Sequence, residues 1–284
     1  MRVLVTGGEG FIGRALREAA PAHWQVRSLD RRRGGDYWTP VEAIDIPDVR
    51  KFRPELIFHL AAVSTIEAGN SDPVDLHRSN VFGTMKVARF AWEIGARVIF
   101  ASSAGTVYED GRGEAPMRTE ESRLLPMSGY GWSKLFGERI VADNSPPGSA
   151  SVRLSNIYGP GSNSVVNVFV DEIKDGGAPT IYGGAQGRDF LHVKDAVAAL
   201  VGLGEDRTPD YGVYNLSSGT ATSIDRLYQR VWETIRPEDH PPSPFRVARH
   251  LWDIDGYTIS SKRLRDATGW RPTMALSDGI RSLV

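Results

Sequence analysis

The opening stretch MRVLVTGGEGFIGRALREAA constrains the fold more than any other part of the chain. An aliphatic run ends in glycines, and an amphipathic pattern follows at once. Gly8-x-Gly10-x-x-Gly13 fits the dinucleotide fingerprint, and Gly7-x-x-Gly10-x-x-Gly13 fits its shifted form. One glycine permits a tight strand-to-helix turn, and another lets backbone approach a pyrophosphate. The third lets the helix pack closely on the strand, with its first N–H groups facing the anion. The stretch predicts a strand over Arg2–Val5, a helix over Phe11–Ala20, and a nucleotide held by Gly7, Gly10, Phe11, Ile12 and Gly13.

The same alternation continues through the first half. Gln25–Leu29, Leu56–Leu60, Arg97–Ala101 and Ser151–Leu154 read as buried strands, and Leu76–Ile94 and Tyr130–Ala142 as helices. Such a pattern predicts an α/β fold, a Rossmann-type doubly wound parallel sheet covered on both faces. Beyond Tyr158 come glycine- and proline-rich loops such as YGPGSN, DGGAPTIYGGAQGRD and PEDHPPSPFR. Residues 1–157 are therefore expected to form the dinucleotide domain, including the Tyr/Lys helix. Residues 158–284 are expected to be mainly substrate-binding, with some elements returning to the sheet. Trp92, Trp232 and Trp270 read as packing residues.

Asp30 ends the second apolar run, where a carboxylate can bond the adenosine ribose hydroxyls and repel a 2′-phosphate. That favours NAD over NADP. Arg31, Arg32 and Arg33 pull the other way, because they can clamp a phosphate; as a solvated loop they carry no such meaning. A net charge of −1 gives no reason to expect nucleic acid or an anionic membrane as partner. No run approaches the ~18 apolar residues of a spanning helix. With no cysteine and scattered histidines, thiolate catalysis is excluded and no protein metal site is expected. These features fit a cytoplasmic protein.

Tyr130-x-x-x-Lys134 places a phenol and an ammonium one helical turn apart. A phenol of pKa near 10 is only ~0.1% ionised at neutral pH, and a neighbouring cation lowers that pKa. The pair suits proton removal from an alcohol as hydride passes to a nicotinamide.

Together these residues resemble the extended short-chain dehydrogenase/reductase family, in its nucleotide-sugar epimerase/dehydratase branch. TGGEGFIG is similar to that family's TGGxGFIG, Asp45–Ile46 to its adenine-framing pair, and Leu60, Ala61 and Ala62 to its stretch along the cofactor. Asn80 lies in an NxxGT-like segment. RLSNIYGPG resembles the RxxNxYGP signature, GRDFLHVKDAV the RDfxxVxD signature, and DATGWRP the closing LGWxP. The resemblance implies that Asn156 and Arg188 meet the diphosphate of a nucleotide sugar, with Arg249 as a weaker candidate. Arg188 can equally pair with adjacent Asp189, and Asn80, expected among the cofactor-binding residues as a bridge between its helix and the catalytic loop, can also be a buried structural amide. A homodimer is implied by resemblance alone.

The family's tyrosine and lysine work with a serine or threonine, and here the sequence departs. FASSAGTVYED carries Ala104 at the usual hydroxyl position, with Ser103 before it and Thr106 after it. Ser103 is the favoured substitute, also for contact with the sugar, and Thr106 the other. Gly105 and Thr106 stand where dehydratases and decarboxylases of the family carry acids. The expected activity is an NAD-dependent nucleotide-sugar 4-epimerase. An NAD(P)H-dependent 4-ketosugar reductase is the alternative, and the displaced hydroxyl also admits a non-catalytic NAD-binding regulator.

Overall fold

Runs of aliphatic residues buried on both faces become the strands of the main sheet. Its seven strands are β1 (Arg2–Thr6), β2 (Gln25–Asp30), β3 (Tyr37–Trp38), β4 (Leu56–His59), β5 (Arg97–Ser103), β6 (Ala150–Leu154) and β7 (Gly212–Leu216). All neighbours pair in parallel, and the spatial order is β7-β6-β5-β4-β1-β2-β3. The order reverses between β1 and β4, and such a switch point opens a crevice at the strands' carboxyl ends. The structure, a computed structural model, describes residues 1–110, 117–206, 211–250, 253–256 and 258–284.

The period of two along each strand divides the core into two layers. Val3, Val5, Phe58, Ile99 and Val152 pack with Ala196, Ala199, Leu200 and Leu203 of the helix Val193–Glu205. On the other face Leu4, Ile57, Val98 and Phe100 meet Val87, Phe90 and Ala91 of the helix Gly83–Ile94. Trp232 and Trp270 are buried, but Trp92 is exposed on that last helix, so it is not a core residue of this chain.

The second half of the chain divides between two places. Helix Val193–Glu205 and strand β7 belong to the main sheet, and Leu264 and Trp270 join its core. Asn156–Tyr158, Gly187–His192 and Ala221–Ser223 form a separate three-stranded sheet. Phe169, Val170, Leu227, Val231 and Trp232 build a distinct core beside it.

One expected element is interrupted. Instead of a continuous helix over Leu76–Ile94, a short helix Pro73–His77 leads into a π-helical turn at Arg78–Phe82, and the α-helix resumes at Gly83. Asn80 lies in this turn. Its amide accepts from Val63 N–H at 2.8 Å and donates to Val63 O at 3.0 Å. A widened turn lets the side chain lock the loop after β4, at the expense of regular i→i−4 bonding.

Candidate active site

A cleft of about 940 Å³ runs along the carboxyl ends of the strands, from the glycine turn to Arg188. At its first end, Gly7 has φ of +72°, and a Cβ there would lie 2.7 Å from Ala61 N. A Cβ on Gly13 would lie 2.2 Å from Gly7 O, so helix and turn meet at a distance only glycine allows. Gly10 differs, because its nearest heavy atom to a Cβ is Gly7 O at 3.1 Å. Its backbone borders the cleft at the N-terminus of the helix Phe11–Glu18, which has no side-chain cap. The cradle has the shape and polarity for a pyrophosphate. Phe11 and Ile12 line it as well.

Asp30 lines the same end. One carboxylate oxygen accepts Glu9 N–H and the other Arg32 N–H, both at 2.9 Å, which fixes the acid beside the glycine turn. Arg31 pairs with Asp75 at 2.9 Å, and Arg33 lies over the Trp38 ring at 4.4 Å. Arg31 and Arg32 nevertheless border the cleft. Leu60, Ala61 and Ala62 line its floor.

The placement of Asp45 and Ile46 departs from expectation. Neither borders the cleft; Asp45 is exposed and paired with Arg50 at 2.7 Å, and Ile46 packs against the second core layer. Pro47 opens a helix directly after Ile46 and holds it extended, while the preceding turn puts Pro40, Val41 and Glu42 on the cleft wall.

At the centre, Tyr130 and Lys134 project from the helix Gly129–Asn144. Ser128 caps this helix by accepting Gly131 N–H at 3.1 Å. A Cβ on Gly137 would stand 2.4 Å from the Phe100 ring, so the helix presses tightly onto β5. The Lys134 ammonium donates to Ala101 O at 2.8 Å and lies 5.8 Å from the Tyr130 ring centroid. Burial pulls its pKa down to about 8, against an opposing pull from Glu138. Tyr130 does not show the depressed pKa expected from its spacing to lysine. Burial pushes the phenol up to about 12, and the hydrogen bond from Ser103 opposes this only in part. Desolvation of the phenolate outweighs what its neighbours contribute.

Among the replacement hydroxyls, Ser103 lines the cleft with Tyr130 and favours the ionised form of its phenol. Thr106 also lines the cleft, but its Oγ1 is buried without a partner among the described residues. Ala104 packs into a core cluster with Val107, Tyr108, Ile254 and Ile259. Its side chain faces the interior, so a hydroxyl at that position would not reach the cleft along this backbone.

Behind the cleft, a chain of hydrogen bonds ties the floor to the Tyr/Lys helix. Asn80 donates to Ser133 Oγ at 3.0 Å, and Ser133 donates to Tyr130 O at 2.7 Å. Asn80 itself does not line the cleft. Thr84 donates to Asn80 O at 2.6 Å, so its oxygen accepts from His59 Nε2 at 2.9 Å, leaving Nδ1 to accept from Thr6 at 2.8 Å. His59 is thereby held neutral; burial takes its pKa down to about 3, assisted by Lys134.

At the far end, Asn156 and Arg188 line the cleft. Asn156 donates to Asp189 O at 3.3 Å. Arg188 pairs with Asp253 rather than with Asp189, whose carboxylate instead accepts the backbone N–H groups of Ser218, Gly219 and Thr220. Arg249 does not border the cleft; it is partly exposed and paired with Asp255. Asp253 and Ile254 of the same segment do reach it. Asp253 escaped the sequence reading because it meets Arg188 across 65 positions. Ser64, Thr65 and Glu67 on the rim likewise carried no recognisable motif. Among the described residues, no group of three or more His, Asp or Glu side chains could hold a metal.

Known proteins resemble this chain along most of its length. The model of the NAD dependent epimerase/dehydratase family matches residues 3–217. UDP-glucose 4-epimerase of Mycolicibacterium smegmatis is 31% identical, over 100% of this chain and 97% of that protein. dTDP-4-dehydro-6-deoxyglucose reductase of Escherichia coli is 27% identical, over 99% and 96%. The crystal structure of Thermus thermophilus UDP-glucose 4-epimerase in complex with NAD superposes with a TM-score of 0.88 at 26% identity, covering 100% of this chain and 97% of that one. A match over most of the length, with the glycine cradle, Asp30 and the Tyr130–Lys134 pair in one cleft, places this chain in the NAD dependent epimerase/dehydratase family.

Proposed function

We propose that this protein is an NAD-dependent nucleotide-sugar 4-epimerase. The observation that carries the reading is one cleft lined by the glycine cradle, Ser103, the Tyr130–Lys134 pair and Arg188, with the Lys134 ammonium anchored on Ala101 O. Gly7, Gly10, Gly13 and Asp30 would hold the dinucleotide, and Asn156 and Arg188 the sugar nucleotide's diphosphate, a guanidinium fork matching phosphate oxygens. NAD, when bound, supplies a reversible hydride acceptor. Tyr130, as the phenolate, takes the proton of the C4 hydroxyl as that carbon is oxidised, and the phenol so formed returns it when the ketone is reduced from its other face. Ser103 hydrogen-bonds the reacting oxygen, and Lys134 supplies the cation that stabilises the phenolate.

Gly105 and Thr106 border the cleft where elimination would need an acid, so the chemistry reduces to hydride and proton transfer at one carbon. The relatives named 4-epimerase support the same reading. The test is incubation of the purified protein with UDP-, dTDP-, GDP- and CDP-hexoses and no added cofactor. Formation of a C4 epimer from one of them supports the assignment; none from any defeats it.

A second reading rests on Arg31 and Arg32 at the cleft and on the similarity to a 4-ketosugar reductase. It requires stoichiometric consumption of NADH or NADPH with a 4-keto substrate, whereas the epimerase cycle consumes none.

We also infer a homodimer. Phe82, Met85 and Trp92 recur at one-face spacing along one helical segment, and Trp132 and Phe136 do so on the Tyr/Lys helix. All are exposed, and the two helices pack side by side. Such an apolar surface suits a second copy of the chain.

A further inference from the structure

Glu138 lies one turn beyond Lys134, so Tyr130, Lys134 and Glu138 follow each other at intervals of four residues along one helical face. It is almost fully buried, with a side chain 6% exposed. Arg153 on β6 grips it in two-pronged fashion, Nε to Oε1 at 2.9 Å and Nη2 to Oε2 at 2.7 Å. Ser102 Oγ donates to Oε1 as well. Ser102 stands between Ala101, whose carbonyl receives the Lys134 ammonium, and Ser103, which lines the cleft with Tyr130. One carboxylate thus fastens the end of β5 to the helix that carries the Tyr/Lys pair.

Stability alone explains this poorly, because a buried ion pair is often matched or bettered by apolar side chains of similar volume. We propose that Glu138 is a positioning residue for the Tyr130–Lys134 pair: through Ser102 and Arg153 it fixes the end of β5, whose Ala101 carbonyl receives the Lys134 ammonium. This rests on the acid–base role given to that pair above.

The groups facing this cluster come from every neighbouring element. They are Tyr130 on the same helix, His59 at the end of β4, Arg153 on β6, and Tyr108, which accepts from Arg153 at 3.0 Å. Tyr211 donates to Glu138 O at 3.2 Å, while Glu120 and Asp143 act on the two tyrosines from further out. Among these, the negative charge acting on Lys134 is that of Glu138.

The test is the titration of Lys134 in the full-length protein, followed by the 13C shift of its ε-carbon and assigned by loss of the signal in Lys134→Met. Glu138→Gln is expected to lower the midpoint by about one unit, leaving about tenfold less ammonium above it. Turnover on the sugar-nucleotide substrate should fall at pH 8 and recover toward pH 6. Glu138→Asp, which keeps the charge, should move both back toward wild type. Where Glu138→Gln does not fold, Ser102→Ala, which cuts the carboxylate's bond to β5 and leaves the Glu138–Arg153 pair intact, should still lower the midpoint. An unchanged midpoint in a folded variant overturns the proposal. The titration needs no activity, so a wild-type protein that turns over no sugar nucleotide would sink the assigned reaction while this measurement still decides the role of Glu138.

Discussion

Ser103 and Thr106 stand three positions apart on the wall of one cleft, yet their hydroxyls have different surroundings. Ser103 favours the ionised form of the Tyr130 phenol, whereas Thr106 Oγ1 is buried with no partner among the described residues. Ser103→Ala should therefore lower kcat by about 10- to 100-fold with a smaller change in KM, the signature of a hydrogen bond tightened in the transition state. Thr106→Val should cost much less, and equal losses would argue against Ser103. His59 offers a test of stability. Its folded pKa is about 3, well below the ordinary value of 6.5, so between these values the unfolded chain binds the extra proton. Its contribution is present above about pH 6.5 and lost as pH falls toward 3, roughly 5 kcal/mol if fully developed. Urea unfolding should show wild type losing more stability between pH 7 and pH 4.5 than His59→Gln. The glycines, Asp30 and the Tyr/Lys pair were legible in the sequence because their chemistry depends on local spacing. Asp253 was not, since its partner Arg188 is brought to it only by the fold.

At the scale of elements, the strands and helices of the first half follow from hydrophobic period, and their limits differ from the expected ones by a few residues. The π-turn at Arg78–Phe82 does not follow from that period. It is stabilised by the Asn80 side chain bonding a loop 17 positions away, a contact no helical pattern records. The misplacement of Asp45 has a similar cause: a two-residue strand and a 3-10 turn advance the cleft wall to residues 40–42. The exposed aromatic face of the Tyr/Lys helix makes a prediction of its own. Sedimentation should give a dimer for the wild type, and Phe136→Glu should shift it toward monomer with the far-UV spectrum unchanged. A monomeric wild type would remove the case for a second copy.

For the whole molecule, the chain crosses between two cores. Helix Val193–Glu205 and β7 complete the main sheet, while the three-stranded sheet carries Asn156 and Arg188 to the other wall. The alternation of strands and helices made the first core readable, and the glycine-rich loops announced a second without showing where its elements would pair. Between the cores, one cleft joins the glycine turn, the Tyr130 phenol and the Arg188 guanidinium. Its activity should depend on one proton. The decisive measurement is kcat for Tyr130→Phe on the nucleotide hexose that wild type epimerises, with dinucleotide retention measured on the same preparation. A loss of about 10²- to 10⁴-fold with retention intact is the expected result; turnover equal to wild type would contradict the assignment of Tyr130 as the proton carrier.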